Sequence, residues 1–326
     1  MVINKDLNHF LYKGNIMNLL GKTNFNFMEK RKLAFIFSLV LITLSIASLA
    51  FKGLNFGLDF TGGTAVVVNF EKTIELDEVR GVLKNNGFSD AVVQNFGSAK
   101  SVQIRLPSKS INDSSKISNQ LADIILPLDS GANVGKGDYI GSQVGEELVN
   151  QGSLAILYAI IGILLYVTMR FEWRFSIGSV VALVHDVIIT VGMFSVTQME
   201  FDLTILAALL AVIGYSLNDT IVVFDRVREN FKGLRKKSSE QIFNISINQT
   251  LSRTIITSLT TLLVLFALFF IGGAMIHGFA FALIVGVIIG TYSSIFVAST
   301  ATLFFGISRE DLMPVEKEGA NLDHIP

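Results

Sequence analysis

Six apolar runs of membrane-spanning length restrict the possible fold more than any other feature of this sequence. About 17–25 apolar residues are enough for a helix to cross a lipid bilayer. Only 16% of the 326 residues are charged, whereas soluble domains contain about 25% charged residues. The sequence therefore predicts an α-helical polytopic membrane protein with six transmembrane helices. These helices are expected at about 33–51, 153–169, 175–197, 203–224, 254–274 and 279–306.

Basic residues are distributed unevenly among the segments that connect these runs. Seventeen of the 26 lysines and arginines fall on one side of the predicted membrane. The segments on that side are 1–32, 170–174, 225–253 and 307–326. The two short connections on the other side, 198–202 and 275–278, contain no lysine or arginine. The positive-inside rule therefore predicts that the amino-terminal segment and the carboxy-terminal tail are both cytoplasmic.

The first apolar run fits an uncleaved signal anchor better than a cleaved secretory signal. Ser48 and Ala50 loosely resemble the small residues of a cleavage site. The run nevertheless has 19 residues, against about 7–15 in a secretory signal, and 32 residues precede it. We therefore expect residues 33–51 to remain as the first transmembrane helix.

The segment 52–152, between the first two runs, is expected to form a separate soluble domain. Stretches rich in β-branched residues alternate in it with stretches of helical periodicity. Their order predicts a ferredoxin-like α+β domain. The expected strands and helices are Thr64–Phe70, Leu76–Asn86, Ala91–Phe96, Ser101–Leu106, Ile117–Leu126 and a last strand near 132–140. The segment contains no histidine and its carboxylates are scattered, so it gives no indication of catalysis.

The remaining five runs are expected to form a bundle over 153–306, with one long basic loop at 225–253. We interpret this loop as a solvated segment that fixes the topology. An interaction surface for cytoplasmic partners is the alternative interpretation. Within it, Ser238-Ser239-Glu240-Gln241 fits the start of a helix.

The fourth run contains two polar residues, Asn218 and Asp219, close to its cytoplasmic end. A carboxylate inside a bilayer costs about 2.5–3.5 kcal/mol on insertion-based scales, so such residues usually serve an ion or proton path. Asp219 is therefore our first candidate for a proton-carrying group. The alternative is a structural aspartate that is hydrogen-bonded across helices by Asn218 or Ser216.

Arg253, at the entrance to the fifth run, is the best candidate for a cation close to Asp219. An ordinary inside-positive flank is the alternative interpretation. Four threonines of the same predicted helix are spaced by four, three and four residues. They therefore share one helix face. This face would either line a water file or bind a neighbouring helix. The threonines are Thr250, Thr254, Thr257 and Thr261.

His185 and Asp186 stand together near the middle of the third run. A buried histidine beside an aspartate is suited to a proton relay. It is equally suited to a satisfied hydrogen-bond pair between helices. We therefore treat both residues as secondary candidates.

The sixth run carries a small residue at every fourth position. Small residues let another helix approach closely, so this stripe predicts a helix-packing face centred on Gly286, Gly290 and Ser294. Whether the neighbouring helix belongs to this chain or to another subunit stays open. The full stripe is Gly278, Ala282, Gly286, Gly290, Ser294, Ala298 and Thr302.

Two absences limit the chemistry that the chain is expected to perform. It has no cysteine, which excludes disulfides and thiolate metal sites. It also lacks a GxxxxGK[ST] loop for ATP, so the energy source must lie elsewhere. We predict no cofactor, no bound metal, no nucleic-acid partner and no enzymatic activity.

Several longer motifs, spread from about residue 25 to 306, together resemble one known family. They are Phe56–Thr64 (FGLDFTGGT), Val144–Leu148, Phe171–Phe175, Val184–Val187, Gly214–Glu229 (GYSLNDTIVVFDRVRE) and Asn248–Thr254 (NQTLSRT). On these motifs the chain resembles the SecF family, the smaller-subunit branch of the SecD–SecF translocases within the RND superfamily.

The resemblance implies a function, a location and partners. Members of this family have six transmembrane helices and one periplasmic domain in the bacterial cytoplasmic (inner) membrane. The implied function is assistance to late protein translocation, driven by the proton-motive force. Asp219 would correspond to the family's proton-path carboxylate and Arg253 to its essential arginine. The implied partners are SecD, which would supply a matching half, the SecY–SecE–SecG translocon, YajC, the translocating preprotein and the lipid bilayer.

Three rival interpretations follow from the same residues. The chain could be half of a proton-driven RND exporter of small molecules, although about 100 residues is small for a porter domain. It could be a scaffold that stabilises the translocon without using protons. An intramembrane aspartyl protease would need Asp186 and Asp219 as a pair. The GxGD signature of such proteases is absent, because Tyr215-Ser216-Leu217-Asn218 precedes Asp219.

Overall fold

The computed structural model describes residues 23–106, 114–308 and 310–312. Most of the predicted amino-terminal segment 1–32 and of the tail 307–326 lies outside these residues. Six helices of the described part are long and apolar enough to cross a membrane, which confirms the predicted number. These spans are Met28–Phe51, Val144–Arg170, Trp173–Thr197, Leu203–Gly233, Ser239–Ile271 and Ala274–Phe304.

An α+β domain lies between the first and second spans. Helix α1 (Arg31–Phe51) forms most of the first span. Two short elements, β1 (Asn55–Phe56) and α2 (Leu58–Thr61), connect it to the domain. The elements of the domain itself are β2 (Gly63–Asn69), α3 (Leu76–Asn85), β3 (Val92–Phe96), β4 (Ser98–Leu106), α4 (Ser114–Ile125), β5 (Asn133–Val134) and β6 (Asp138–Ile140).

The sheet topology of this domain confirms the predicted ferredoxin-like fold. Strand order is β3–β4–β2, with β5 and β6 both pairing with β2, and every pairing is antiparallel. The two central strands place Val66 opposite Ile104 and Val68 opposite Val102. All four side chains are fully buried, together with Leu83 of α3 and Leu121 of α4. The helices therefore cover one face of the sheet, and cross-strand apolar pairs fix its register.

The start of β2 requires glycine, and this requirement gives a first prediction. Gly63 has φ 128°, and a Cβ there would overlap the carbonyl oxygen of Leu106 on the paired strand. We expect Gly63→Ala to lower the domain's stability by about 2 kcal/mol, because both backbone strain and the overlap must be relieved. Limited proteolysis of the domain across a denaturant series measures the change. Gly81→Ala, in the open middle of α3, is the matched control and should be neutral or slightly stabilising.

The five remaining spans form a bundle whose centre is made by three of them. The helices of the five spans are α5 (Ser142–Arg170), α6 (Trp173–Thr197), α7 (Leu203–Gly233), α8 (Ser239–Ile271) and, both in the last span, α9 (Ala274–Ser293) and α10 (Ser299–Phe304). A two-residue strand, β7 (Glu200–Phe201), connects α6 to α7. A π-helical segment, Ser294–Ala298, interrupts the last span between α9 and α10. About half of the most apolar stretch of the α6, α7 and α9 spans is buried, whereas less than a fifth of that stretch is buried in each of the other spans.

The prediction of a long basic loop at 225–253 is wrong. Helix α7 continues to Gly233 and α8 begins at Ser239, so the connection between them is only 234–238. Hydropathy marks where an apolar run ends, but a helix continues wherever its backbone hydrogen bonds do. The predicted helix start is confirmed: the Ser238 hydroxyl accepts from the Gln241 backbone N–H in a capping box.

Candidate functional site

Asp219 lies at a contact between three helical elements and accepts a hydrogen bond on each carboxylate oxygen. The Thr254 hydroxyl of α8 donates to Oδ1 at 2.6 Å. The Ser294 hydroxyl, at the first residue of the π-helical segment, donates to Oδ2 at 2.5 Å. The side chain of Asp219 is buried. Two hydroxyl donors thus replace part of the hydration that the carboxylate loses inside the membrane.

The same surroundings also fit the protonated acid. A serine or threonine hydroxyl both donates and accepts hydrogen bonds. Ser294 Oγ lies 3.0 Å from the Thr291 carbonyl oxygen, which offers its proton a second acceptor. When Asp219 binds a proton, Ser294 can donate to Thr291 and accept from the acid. The site therefore satisfies both charge states of Asp219 without moving a helix.

Arg253 lies next to Thr254 but does not form an ion pair with Asp219. Among the ion pairs of the described residues none joins Arg253 to Asp219, and Arg253 is exposed. Its neighbour Thr254 does contact that carboxylate, so Arg253 lies one residue away from the site. Asn218 is exposed as well, so it does not supply the hydrogen bond to Asp219 that the sequence suggested as an alternative. Thr257 donates to backbone carbonyls of its own helix, including that of Arg253 at 3.0 Å.

His185 and Asp186 form a buried pair on α6. His185 Nδ1 lies 2.8 Å from Asp186 Oδ1, and its Nε2 lies 3.1 Å from the Ser38 hydroxyl of α1. Asp186 Oδ2 accepts from Ser216 of α7 at 2.5 Å and from Ser293 of α9 at 2.7 Å. Ser216, suggested from the sequence as a partner for Asp219, therefore binds the other aspartate.

Two consecutive serines join the two buried aspartates. Ser293 donates to Asp186 and Ser294 donates to Asp219, at the point where the helix changes from α to π geometry. Such π-helical turns are frequent at functional sites. Ser293 was not among the residues predicted from the sequence, and Ser294 was predicted only as a small packing residue. The available signal was a pair of adjacent hydroxyl residues in the middle of an apolar run.

The small-residue stripe of the last span packs against α7 of the same chain. A Cβ at Gly286 would overlap Val212, and one at Gly290 would lie 3.1 Å from Ser216 Cβ. Close approach of α7 and α9 is what brings Ser294 within reach of Asp219. No group of three His, Asp or Glu side chains suited to a metal ion occurs among the residues that the structure describes.

Comparison with known proteins identifies two matching family models. Residues 120–307 match the model described as protein export membrane protein SecD/SecF, C-terminal. Residues 47–74 match the SecD/SecF GG motif, which covers the end of α1 and the whole of β1, α2 and β2. Together the two matches include both buried aspartates and the connection between the first span and the α+β domain.

Sequence relatives and solved structures agree with these matches. The chain is 53% identical over 311 residues to protein translocase subunit SecF of Vibrio alginolyticus, covering 94% of this chain and 99% of the relative. It is 50% identical to protein translocase subunit SecF of Pseudomonas aeruginosa, with coverage of 89% and 94%. It is similar to the crystal structure of SecDF, a translocon-associated membrane protein, from Thermus thermophilus, with 39% identity and a TM-score of 0.80. That match covers 88% of this chain but only 39% of the SecDF chain.

Proposed function

Because this chain belongs to the SecF family of protein translocase subunits and has a role in protein export, we propose that it uses the proton-motive force. In this proposal it assists the late stages of protein translocation across the bacterial cytoplasmic membrane. Asp219 takes up and releases the proton, and Arg253 keeps the carboxylate poised between its two states. The α+β domain lies in the periplasm and both chain termini are cytoplasmic, as the distribution of basic residues favours.

The observation that carries this proposal is the pair of hydroxyl groups on Thr254 and Ser294 that surround the Asp219 carboxylate. We call this pair the hydroxyl cage. The carboxylate is buried among three helical elements, and Thr254 and Ser294 can serve either of its charge states. A proton moving through 100 mV releases about 2.3 kcal/mol. That energy biases a two-state equilibrium by roughly fifty-fold, since about 1.4 kcal/mol corresponds to a factor of ten. One titrating carboxylate is therefore enough to drive a conformational change.

A second subunit of SecD type completes the site in this proposal. Arg253, Asn218 and Thr257 are all exposed at the depth of Asp219, on α7 and α8. Arginine inside a membrane span normally faces a bundle interior or pairs with another polar group, so this face fits a protein neighbour better than lipid. The match covers only 39% of each similar SecDF chain, and in this proposal a SecD-type part supplies the remainder. We propose SecY–SecE–SecG, YajC and the translocating preprotein as further partners.

The proposed function predicts that translocation intermediates are completed faster when a proton gradient is present. Inverted membrane vesicles carrying this chain, SecD and the translocon would be loaded with a preprotein arrested late in translocation. We expect completion to rise when a proton gradient is imposed and to return to its basal rate when a protonophore is added. Protease protection of the preprotein measures completion.

Two control conditions test whether the proton is the driving ion and whether the chain is only a scaffold. A sodium gradient of equal size tests whether sodium replaces the proton, and we expect it to have no effect. Vesicles that lack this chain should show no gradient-dependent stimulation. If completion depends on the chain but not on any gradient, the chain is a scaffold and the proposed coupling is wrong.

A further inference from the structure

The α+β domain contacts the transmembrane bundle beside a small two-stranded sheet. Strand β1, which precedes the domain, pairs in parallel with β7, which precedes α7. The pairing places Asn55 beside Glu200 and Phe56 beside Phe201. Because α7 carries Asp219, β7 is the direct chain connection between this contact and the buried carboxylate. We call four hydrogen-bonded polar residues at this contact, Asn55, Gln94, Arg105 and Glu200, the domain–bundle junction.

Arg105 of the central strand β4 reaches out of the domain to this junction. Its Nη1 donates to the Phe56 carbonyl oxygen at 2.9 Å and to Glu200 Oε1 at 3.1 Å. Its Nη2 donates to Asn55 Oδ1 at 2.8 Å. The guanidinium thus links three separate chain segments. The Arg105 side chain is 6% exposed and that of Glu200 is 23% exposed, so water screens this ion pair weakly.

Further hydrogen bonds fix Glu200 against the domain and the start of α7. Gln94 of β3 donates to Glu200 Oε2 at 2.6 Å. Asp59, within the GG-motif segment, accepts from the Leu203 backbone N–H at 3.0 Å. Asp202 caps α7 by accepting from two of its first backbone N–H groups. A displacement of the domain therefore acts directly on the amino-terminal end of the helix that carries Asp219.

We propose that Arg105 couples the α+β domain to α7 by pairing with the buried Glu200 carboxylate, so that the domain docks on the bundle while this carboxylate is paired or uncharged and separates when it is left as an unpaired negative charge. Arg105 and Glu200 are positioning residues in this scheme, since neither contacts Asp219. The docking proposal does not require proton coupling. Its consequence for export rests on the proposed function.

The surroundings of Glu200 make this docking sensitive to pH. Burial raises the pKa of the Glu200 carboxyl, and the positive charge of Arg105 and the hydrogen bond from Gln94 oppose this rise only partly. The negative charges of Asp202 and Asp59 raise the pKa of Glu200 further. A released domain would return Glu200 to water and to its ordinary pKa. The docked form therefore binds more protons, so docking strengthens as pH falls and weakens as pH rises through the raised pKa.

The distance between the domain and the bundle tests this inference without measuring export. The chain has no cysteine, so cysteines introduced at Asn86 and Met275, both exposed, can carry two spin labels. Double electron–electron resonance on the full chain in lipid nanodiscs then reports docked and separated populations at pH 5 and pH 8. The variants are Arg105→Gln, Glu200→Gln and the double variant. Asp77→Asn, which removes one partner of an exposed ion pair in the same domain, is the matched control.

Each variant has a distinct expected result. Arg105→Gln leaves Glu200 buried without its cation, so the separated population should rise about tenfold at pH 8 and less at pH 5. Glu200→Gln should stay docked and lose the pH dependence, because its side chain is neutral throughout. The double variant should dock again, since neither partner is left as an unpaired buried charge.

Three outcomes would overturn the proposal. The first is an Arg105→Gln population identical to the parent's at pH 8, and the second is a pH dependence that survives in Glu200→Gln. The third is a double variant as separated as Arg105→Gln, which would mean that Arg105 is needed for folding of the domain and not for the ion pair. Asp77→Asn should match the parent at both pH values. Because no translocation is measured, a failure here leaves the proton-coupling proposal untouched.

Discussion

Asp219→Asn should abolish gradient-dependent completion of translocation while leaving the chain folded in the membrane. Asparagine has nearly the same shape, and its carbonyl oxygen can still accept from Thr254. Its amide can donate to Ser294, whose hydroxyl then donates to the Thr291 carbonyl. The cage therefore stays filled, but no group in it titrates. The roughly fifty-fold bias that a proton supplies across 100 mV is lost.

The vesicle assay with and without a protonophore measures this loss. Asp225→Asn is the matched control, because Asp225 lies six residues further along α7 and forms an exposed ion pair with Arg170. Exposed pairs contribute about 0–1 kcal/mol, so this variant should keep gradient-dependent completion. A gradient response that survives in Asp219→Asn would show that another group carries the proton. Asp186 is the next candidate, since Ser293 and Ser294 link it to Asp219.

The α+β domain could be predicted from sequence because each of its elements carries its own signal. β-Branched runs bounded by glycine gave β2 and β4, and apolar residues at helical spacing gave α3 and α4. The long loop at 225–253 could not be excluded in this way. The residues after Asp225 are charged in sequence but remain helical, and the i,i+3 pair Arg226–Glu229 stabilises that extension.

The candidate site could be predicted only in part, and the serines show why. Asp219 is evident because a carboxylate in an apolar run is costly, and Thr254 follows from its spacing. Hydroxyl groups in helices usually donate to carbonyls of their own helix, as Thr257 and Thr260 do. Whether a serine reaches across instead depends on how closely two helices approach. The small-residue stripe predicts a close approach but not which helix packs there, and a π-helical turn leaves no periodicity, so neither signal identifies Ser216 and Ser293 as partners of Asp186.

Gly286→Val should destabilise the bundle strongly. A Cβ at this position would overlap Val212 Cγ2 and lie 2.6 Å from its Cγ1. The side chain of Val212 is short and β-branched, so it cannot move out of the contact without adopting an unfavourable rotamer. The helices α7 and α9 must separate, at a cost of about 3 kcal/mol. Thermal unfolding of the purified chain in detergent measures the change.

The separation of these helices should also disturb the site, because Ser294 lies only two turns beyond Gly286 on the same span. We therefore expect Gly286→Val to weaken the gradient response even under conditions where the chain stays folded. Gly162→Val is the matched control, since Gly162 in α5 has no atom within 4 Å of an added Cβ. An unchanged unfolding temperature for Gly286→Val would mean that α7 and α9 do not approach as closely as described. The hydrogen bond from Ser294 to Asp219 depends on that approach, so the described geometry of the site would then be wrong.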